Sequence, residues 1–126
     1  MHVDKLDLIF AKQQALDNFL AEERGLNFDL PTWVEKEVLA IVAELGELLG
    51  EVNFKWWKNP RPLDREAIKE EMVDILHFFV SLSLKLGIGP GELCEAYLAK
   101  NRENIRRQQG LSPKKGYEVQ THDGVS

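Results

Sequence analysis

The stretch REAIKEEMVDILHFFVSLSLKL, residues 65–86, repeats apolar side chains at the spacing of an amphipathic α-helix. The residues that face one way are Ile68, Met72, Ile75, Leu76, Phe79, Leu82 and Ser83. Asp64 stands where a helix N-cap is expected, and Gly87 stands where the helix should end. Residues 65–86 are therefore predicted to form one helix with a broad apolar face.

Three more amphipathic segments accompany this helix, at about residues 4–24, 32–57 and 90–109. Pro60 and Pro62 interrupt the chain before the central helix, because proline cannot continue a helical hydrogen-bond pattern. Four helices joined by short loops predict an all-α fold, an antiparallel four-helix bundle. The apolar faces are too broad for a monomer of this size to cover, so we expect the bundle to be oligomeric.

The helix over 32–57 is predicted to begin at Thr32, because Thr32-x-x-Glu35 has the form of a capping box. Its last residues, FKWWK at 54–58, combine aromatic rings with lysines. Aromatic faces can stack on a nucleobase and lysines attract phosphate. The alternative is a core anchor whose lysines extend into solvent.

Chain length and composition indicate one domain over 1–110, followed by a polar tail over 111–126. The tail is expected either to close over bound substrate or to be disordered. Cys94 is the single cysteine, which fits a reducing compartment. Neither a signal-peptide pattern nor a membrane-length apolar run is present, so we expect a cytoplasmic protein with no membrane partner.

The net charge of −5 is unevenly distributed, because residues 100–116 carry +5 and the remainder carries −10. An acidic body with one basic segment argues against nucleic-acid binding, which needs a broad basic face. Within the basic segment, Lys100, Asn104 and Arg107 fall on one helical stripe. A lysine, an amide and an arginine so aligned suit a polyphosphate, although a solubilising basic tail is an equal alternative on charge alone.

Two carboxylate pairs at helical spacing carry the clearest chemical signal: Glu44-x-x-Glu47 and Glu71-x-x-Asp74. On two packed antiparallel helices, four carboxylates could converge on one small volume. Their repulsion would require cations, and hard divalent ions such as Mg²⁺ prefer oxygen ligands and accompany substrate phosphates. The alternative for either pair is a solvated acidic face.

Several motifs occur together in order: Glu44-x-x-Glu47, Phe54-Lys55-x-Trp57-Lys58, Glu71-x-x-Asp74-x-x-His77-Phe78, Lys100-Asn101-x-x-Asn104-x-x-Arg107-Gln108 and Gly116-Tyr117. In this order they resemble the all-α dimeric dUTPases, which belong to the MazG-like superfamily of nucleoside triphosphate pyrophosphohydrolases. Gln14-x-x-Asp17 is similar to the uracil-side motif of that family, although Asp17 stands where some members have asparagine. The resemblance covers about residues 8–117.

The resemblance implies Mg²⁺-dependent hydrolysis of dUTP to dUMP and pyrophosphate, with Mn²⁺ as a substitute metal, in a homodimer or a dimer of dimers. It assigns the metal to Glu44, Glu47, Glu71 and Asp74, and it gives Glu47 the further role of orienting and deprotonating the attacking water. It assigns the phosphates to Lys100, Asn104, Arg107 and either Lys115 or Lys114, and the lysines of the aromatic segment, Lys55 and Lys58, are further candidates. It assigns the base and sugar to Gln14, Asp17, Trp57, His77, Asn101 and Tyr117.

Two other functions are compatible with the sequence. The chain is shorter than many dimeric dUTPases, so a MazG-like house-cleaning enzyme with dCTP-type or broader specificity is an alternative. A non-catalytic helical interaction protein, with acidic faces that are only solvated, is the second alternative. A panel of nucleotides separates these three hypotheses.

Overall fold

A computed structural model describes residues 4–120, and over that range it contains helices and no strands. The helices are α1 (Lys5–Arg24), α2 (Leu30–Gly50), α3 (Arg65–Lys85) and α4 (Pro90–Gln108). The predicted all-α fold with four helices is thus confirmed. The chain divides into two compact units between Gly89 and Pro90.

The ends of α1 and α3 follow the capping rules expected from the sequence. Asp4 and Asp64 accept hydrogen bonds from backbone N–H groups of the first turns of α1 and α3, respectively. Gly25 ends α1 in the left-handed conformation, with φ of 62°. The predicted bounds of these two helices therefore agree with the structure to within one residue.

The start of α2 differs from the prediction. The helix begins at Leu30, and its N-cap is Asp29, whose carboxylate accepts a hydrogen bond of 2.9 Å from the backbone N–H of Thr32. Pro31 lies in the first turn, where its missing N–H does no harm because that group would have no partner within the helix. Asp29 is therefore the N-cap of α2, and the capping box predicted at Thr32-x-x-Glu35 does not start the helix.

The end of α2 was also predicted wrongly, because the helix stops at Gly50 and not at residue 57. Beyond it the chain turns, and Asn53 adopts a positive φ of 21°. The side chain of Asn53 donates to the Arg61 carbonyl at 2.7 Å and accepts from the Arg61 N–H at 2.8 Å. These two bonds close the 53–61 loop, so the aromatic and basic residues 54–58 lie in a loop.

In the first unit, α3 packs against both α1 and α2. Gln13 contacts His77, and one turn later Asp17 contacts Ser81. Residue numbers rise together in these two pairs, so α1 and α3 run parallel.

The direction of α2 follows from its own contacts with α3. Near its start Glu37 contacts Ser81, whereas further along Glu44 lies beside Glu71. Residue numbers therefore run in opposite senses, and α2 is antiparallel to α3. This alternation of directions is that of an up-down-up bundle.

The apolar core of the described residues is small. Phe10 and Val80 are the fully buried apolar side chains found there, whereas many large apolar side chains are exposed. A folded domain of this size normally covers more of its apolar surface. The predicted excess of apolar surface is therefore present.

In the second unit, the segment after α4 folds back onto the end of that helix. Gly110 has a φ of 76°, and the N–H of Leu111 donates to the carbonyl of Arg106. Ser112 is buried and donates to the Glu103 carboxylate. The start of the tail, at Leu111 and Ser112, is thus hydrogen-bonded to the end of α4, and residues 121–126 lie outside the described range.

The helices of residues 4–120 include no single one that is both long and apolar enough to cross a membrane. Taken together, α3 and α4 meet the requirement by length and composition alone.

Candidate metal site and nucleotide groove

Three carboxylates from two helices converge in the first unit: Glu44 on α2 with Glu71 and Asp74 on α3. One oxygen from each lies within 4.8 Å of the others, and all three residues are half-buried. Glu71 and Asp74 share a face of α3 because they are three residues apart, and antiparallel packing brings Glu44 opposite them. We call these three residues the carboxylate triad.

Glu71 is the most perturbed member of the triad. Burial, a hydrogen bond shared with Glu44 and the charges of neighbouring carboxylates raise its pKa to about 7. Its Oε2 is buried and has no hydrogen-bond partner among residues 4–120. A buried carboxylate oxygen without a donor is unfavourable, so the position calls for a cation or a proton.

The donor set of the triad fits Mg²⁺. All three groups are carboxylates, the hard oxygen ligands that this ion prefers, and three of them leave room for water and phosphate oxygens. The Oε2 atom of Glu71 is a buried carboxylate oxygen with no hydrogen-bond partner within residues 4–120, so it is available to a cation. Glu44, Glu71 and Asp74 would hold the ion.

Glu47, the predicted fourth ligand and catalytic base, is placed differently from the triad. It lies one turn beyond Glu44 on α2 and is exposed, although its charge also raises the pKa of Glu71. It is therefore close to the triad electrostatically and has access to solvent water. Glu70 also shares a face of α3 with Asp74, because the two residues are four apart, but it lies outside the triad.

A groove of about 590 Å³ opens next to the triad, and its walls come from α1, α2 and α3. Asp74 lines it and is therefore shared with the triad. Gln14, Asp17 and His77, three of the residues predicted to bind base or sugar, also line it. We call this space the main groove.

A chain of hydrogen bonds crosses the main groove from α3 to α1. His77 Nδ1 lies 2.6 Å from Gln13 Oε1, and Gln13 Nε2 donates to Asp17 Oδ1 at 2.9 Å. Because an amide oxygen only accepts, His77 must carry its hydrogen on Nδ1. Asp17 Oδ2 in turn lies 2.8 Å from the hydroxyl of Ser81, within hydrogen-bond distance.

Asp17, Glu37, Ser81 and Lys85 form one polar cluster in the wall of the main groove. Lys85 Nζ donates to Glu37 Oε1 at 2.9 Å and to Ser81 Oγ at 2.7 Å, and it lies 3.6 Å from Asp17 Oδ2. It also lies 4.2 Å from the centre of the Trp33 ring. Two carboxylates thus share one ammonium group.

Gln14 is the exposed member of the predicted base-binding set on α1, and its amide donates to Asn18 at 2.9 Å. Trp57 does not line the main groove. It lies in a second groove, of about 650 Å³, that the 53–61 loop forms together with the end of α2. Lys55 and Lys58, predicted phosphate ligands, line this second groove as well.

The remaining predicted ligands belong to the second unit: Lys100, Asn101, Asn104, Arg107, Lys115 and Tyr117. Arg107 Nε donates to Glu103 at 3.2 Å, and its guanidinium lies 5.4 Å from the centre of the Tyr117 ring. Hydrogen bonds from Ser112 and Arg107 keep the pKa of Glu103 below its usual value. The phosphate and base roles of these six residues stay predictions.

Sequence reasoning missed Glu37, Ser81 and Lys85 as members of a site. A signal for them exists, because Glu37 falls inside the apolar stripe of α2, three residues after Val34. Ser81 and Lys85 are four residues apart on the face of α3 that also carries His77. Polar residues inside an apolar stripe are the feature that indicates a buried network.

Comparison with known proteins agrees with this geometry. A protein-family model described as dUTPase matches residues 5–92. Two relatives are named dCTP pyrophosphatase. One, from Enterobacteria phage LZ5, is 34% identical over 113 residues, which cover 85% of this chain and 66% of the relative. The other, from Enterobacteria phage T4, is 30% identical over 104 residues, which cover 64% of this chain and 61% of the relative.

The chain thus spans less than two thirds of the length of both relatives. No solved structure matches it significantly. The family match extends over α1, α2 and α3 and includes the carboxylate triad and the main groove. On this evidence of sequence and site, the chain belongs to the dUTPase family.

Proposed function

We propose that this protein is a Mg²⁺-dependent nucleoside triphosphate pyrophosphohydrolase that acts on a pyrimidine deoxynucleotide and releases pyrophosphate. The observation that carries the proposal is the carboxylate triad beside a nucleotide-sized groove, with Asp74 common to both. dUTP is the first candidate substrate, because the family is described as dUTPase. dCTP is the second, because both relatives are named dCTP pyrophosphatase.

The reaction adds water to phosphorus and breaks the bridging oxygen–phosphorus bond between the α- and β-phosphates. When bound, Mg²⁺ would neutralise the phosphate charge and lower the pKa of water. Mn²⁺, with a similar preference for oxygen, would substitute. The exposed carboxylate of Glu47 would orient the attacking water and accept its proton, while α1 and α3 hold the base and sugar in the main groove.

We also propose that the protein acts as a homodimer or a dimer of dimers. On α2, the exposed residues Val38, Val42, Leu45 and Leu49 are spaced as a heptad seam, and each is 44–57% exposed. On α3, Met72, Leu76 and Phe79 continue a similar exposed stripe. Seams of this kind are stable when a second copy covers them.

The test of the activity is pyrophosphate release from dUTP, dCTP, dTTP, dATP, dGTP and UTP in the presence of Mg²⁺. We expect turnover of dUTP, dCTP or both, and little turnover of the purine nucleotides. Glu71→Gln and Asp74→Asn should bring turnover to background, because each removes one charged ligand of the triad.

Glu70→Gln is the matched control, since Glu70 is exposed, adjoins Glu71 and lies outside the triad. It should retain wild-type turnover. Full activity in both triad variants would refute the metal assignment. No turnover of any nucleotide by folded protein would favour the non-catalytic interaction protein.

A further inference from the structure

We propose that Asp17, positioned by Glu37, Ser81 and Lys85, reads an exocyclic amino group of the base and makes the main groove selective for cytosine over uracil. This inference rests on the proposed function and narrows its substrate. In the part of the groove wall formed by this cluster, the donors of Lys85 and Ser81 are used within the cluster, whereas carboxylate acceptors are left over.

The donors of the polar cluster are already used within it. Lys85 donates to Glu37 and Ser81, and its remaining hydrogen faces Asp17 at 3.6 Å or the Trp33 ring. A hydroxyl carries one hydrogen, so Ser81 donates either to Asp17 or to Glu37, both of which lie within 2.9 Å. No donor of Lys85 or Ser81 is therefore left for a ligand.

Acceptors, by contrast, remain. Within residues 4–120, Asp17 Oδ1 accepts a hydrogen bond from Gln13 alone, which leaves it with a free lone pair. Glu37 exposes 6% of its surface, and its Oε2 has no hydrogen-bond partner within residues 4–120. Two carboxylates and one ammonium give the cluster a net negative charge. Such a wall favours a ligand edge that donates hydrogen bonds and repels one that presents oxygen.

The two pyrimidines differ in the group that would face this wall. Cytosine carries an amino group at position 4 that donates two hydrogen bonds, whereas uracil and thymine carry a carbonyl oxygen there. An ionised Asp17 accepts from the amino group and repels the carbonyl. A ligand without a donor at this position would leave the buried acceptor unpaired, so such a site discriminates strongly against it.

Glu37 and Lys85 act through Asp17 and are positioning residues. Lys85 lies between the two carboxylates, and the side chains of Lys85, Asp17 and Glu37 are 17%, 15% and 8% exposed. Shared in this way, the ammonium fixes the position of the Asp17 carboxylate in the groove wall. In Glu37→Gln, the uncharged amide would let Lys85 pair with Asp17 alone. That pairing would make Asp17 a weaker acceptor for the base.

The decisive experiment compares kcat/KM for dCTP and dUTP in the wild type, Asp17→Asn and Glu37→Gln. The wild type should prefer dCTP by on the order of tenfold or more, the effect of one charged hydrogen bond. The amide introduced by Asp17→Asn is able to donate to a carbonyl, so this variant should reverse the preference. Glu37→Gln should reduce the preference, mainly through KM for dCTP.

Asp7→Asn is the matched control, because Asp7 is exposed on α1 and does not line the main groove. It should leave the substrate ratio unchanged. A merely structural role for Asp17 would lower both activities together. Active Asp17→Asn protein with an unchanged dCTP to dUTP ratio would therefore overturn the proposal.

A wild-type measurement guards against misfolded variants and separates this inference from the activity. Calorimetric titration with dCMP, dUMP and the 2-pyrimidinone deoxynucleoside monophosphate, which lacks any group at position 4, requires no turnover. We expect dCMP to bind on the order of tenfold more tightly than the other two. Equal binding of all three overturns the inference even if hydrolysis is observed, whereas preferential dCMP binding without hydrolysis supports it and refutes the activity.

Discussion

Glu71 shows how one carboxyl group responds to its surroundings. Burial comes first among the causes that raise its pKa from 4.5 to about 7, and the hydrogen bond and charge of Glu44 follow. The folded protein therefore holds a proton on Glu71 at pH values where the unfolded chain has released it. A divalent cation would take the place of that proton.

The first prediction concerns metal-free protein in EDTA. Since the folded pKa is raised, the stability linked to Glu71 is fully present below about pH 4.5 and is lost as the pH rises to about 7. The free energy of unfolding of the wild type should thus fall, relative to Glu71→Gln, as the pH rises through this window. Parallel pH profiles from urea titrations of the two proteins would contradict this assignment.

The second prediction at the residue scale concerns Lys85 and the stability of the folded protein. Its ammonium group is mostly buried between Asp17 and Glu37. Lys85→Met leaves both carboxylates without their cation, and breaking a buried pair in this way costs about 3 kcal/mol.

Urea denaturation measures this loss, and Lys69→Met is its control. Lys69 forms an ion pair of 2.7 Å with Glu66 on the exposed face of α3. Exposed pairs contribute about 0.5 kcal/mol or less. Equal effects of the two substitutions would show that the Lys85 cluster is solvated.

At the scale of the helices, the local sequence set the starts of α1 and α3 but misled at α2. Asp29 and Thr32 are both good N-cap residues, and only one of them can occupy the position before the helix. Hydrogen bonds from the side chain and backbone of Thr32 keep the pKa of Asp29 low. The cap is therefore an ionised carboxylate at the positive end of the helix dipole.

The element-scale prediction is that Asp29→Ala lowers the melting temperature by about 4 °C, the usual effect of removing an N-cap from a domain of this size. Glu35→Ala should change it by less than about 2 °C, because Glu35 is exposed and the predicted capping box is not the one that starts α2. Thermal unfolding measures both. A larger drop in melting temperature for Glu35→Ala than for Asp29→Ala would show that the capping box at Thr32 starts the helix instead.

At the scale of the whole molecule, the feature that needs an explanation is the pair of exposed apolar seams on α2 and α3. They lie on the same two helices as the carboxylate triad. Covering them with a second copy would stabilise the helix pair that carries the carboxylate triad. Self-association and metal binding should therefore support each other.

The molecular-scale prediction is that sedimentation or light scattering finds a dimer or a dimer of dimers. Val42→Glu, in the middle of the α2 seam, should lower the mass in solution or the melting temperature, because it places a charge in the interface. Leu63→Glu is the control, since Leu63 is similarly exposed but lies in the loop before α3. A monomeric wild type with the same melting temperature as Val42→Glu would refute self-association through this seam.

Much of this protein was determined by its sequence alone. Helical periodicity and capping residues predicted four helices, and the family resemblance that the ordered motifs predicted is confirmed by the match over residues 5–92. Spacing also predicted that Glu71 and Asp74 share one face, because residues three apart on a helix always do.

The tertiary structure alone decided the rest. It brought Glu44 from α2 against Glu71 and Asp74, left Glu47 exposed, and gathered Asp17, Glu37, Ser81 and Lys85 from three helices into one cluster. It also ended α2 at Gly50. Local propensity acts over a few residues, whereas the pKa of Glu71 and the pairing of Lys85 depend on side chains that only helix packing brings together.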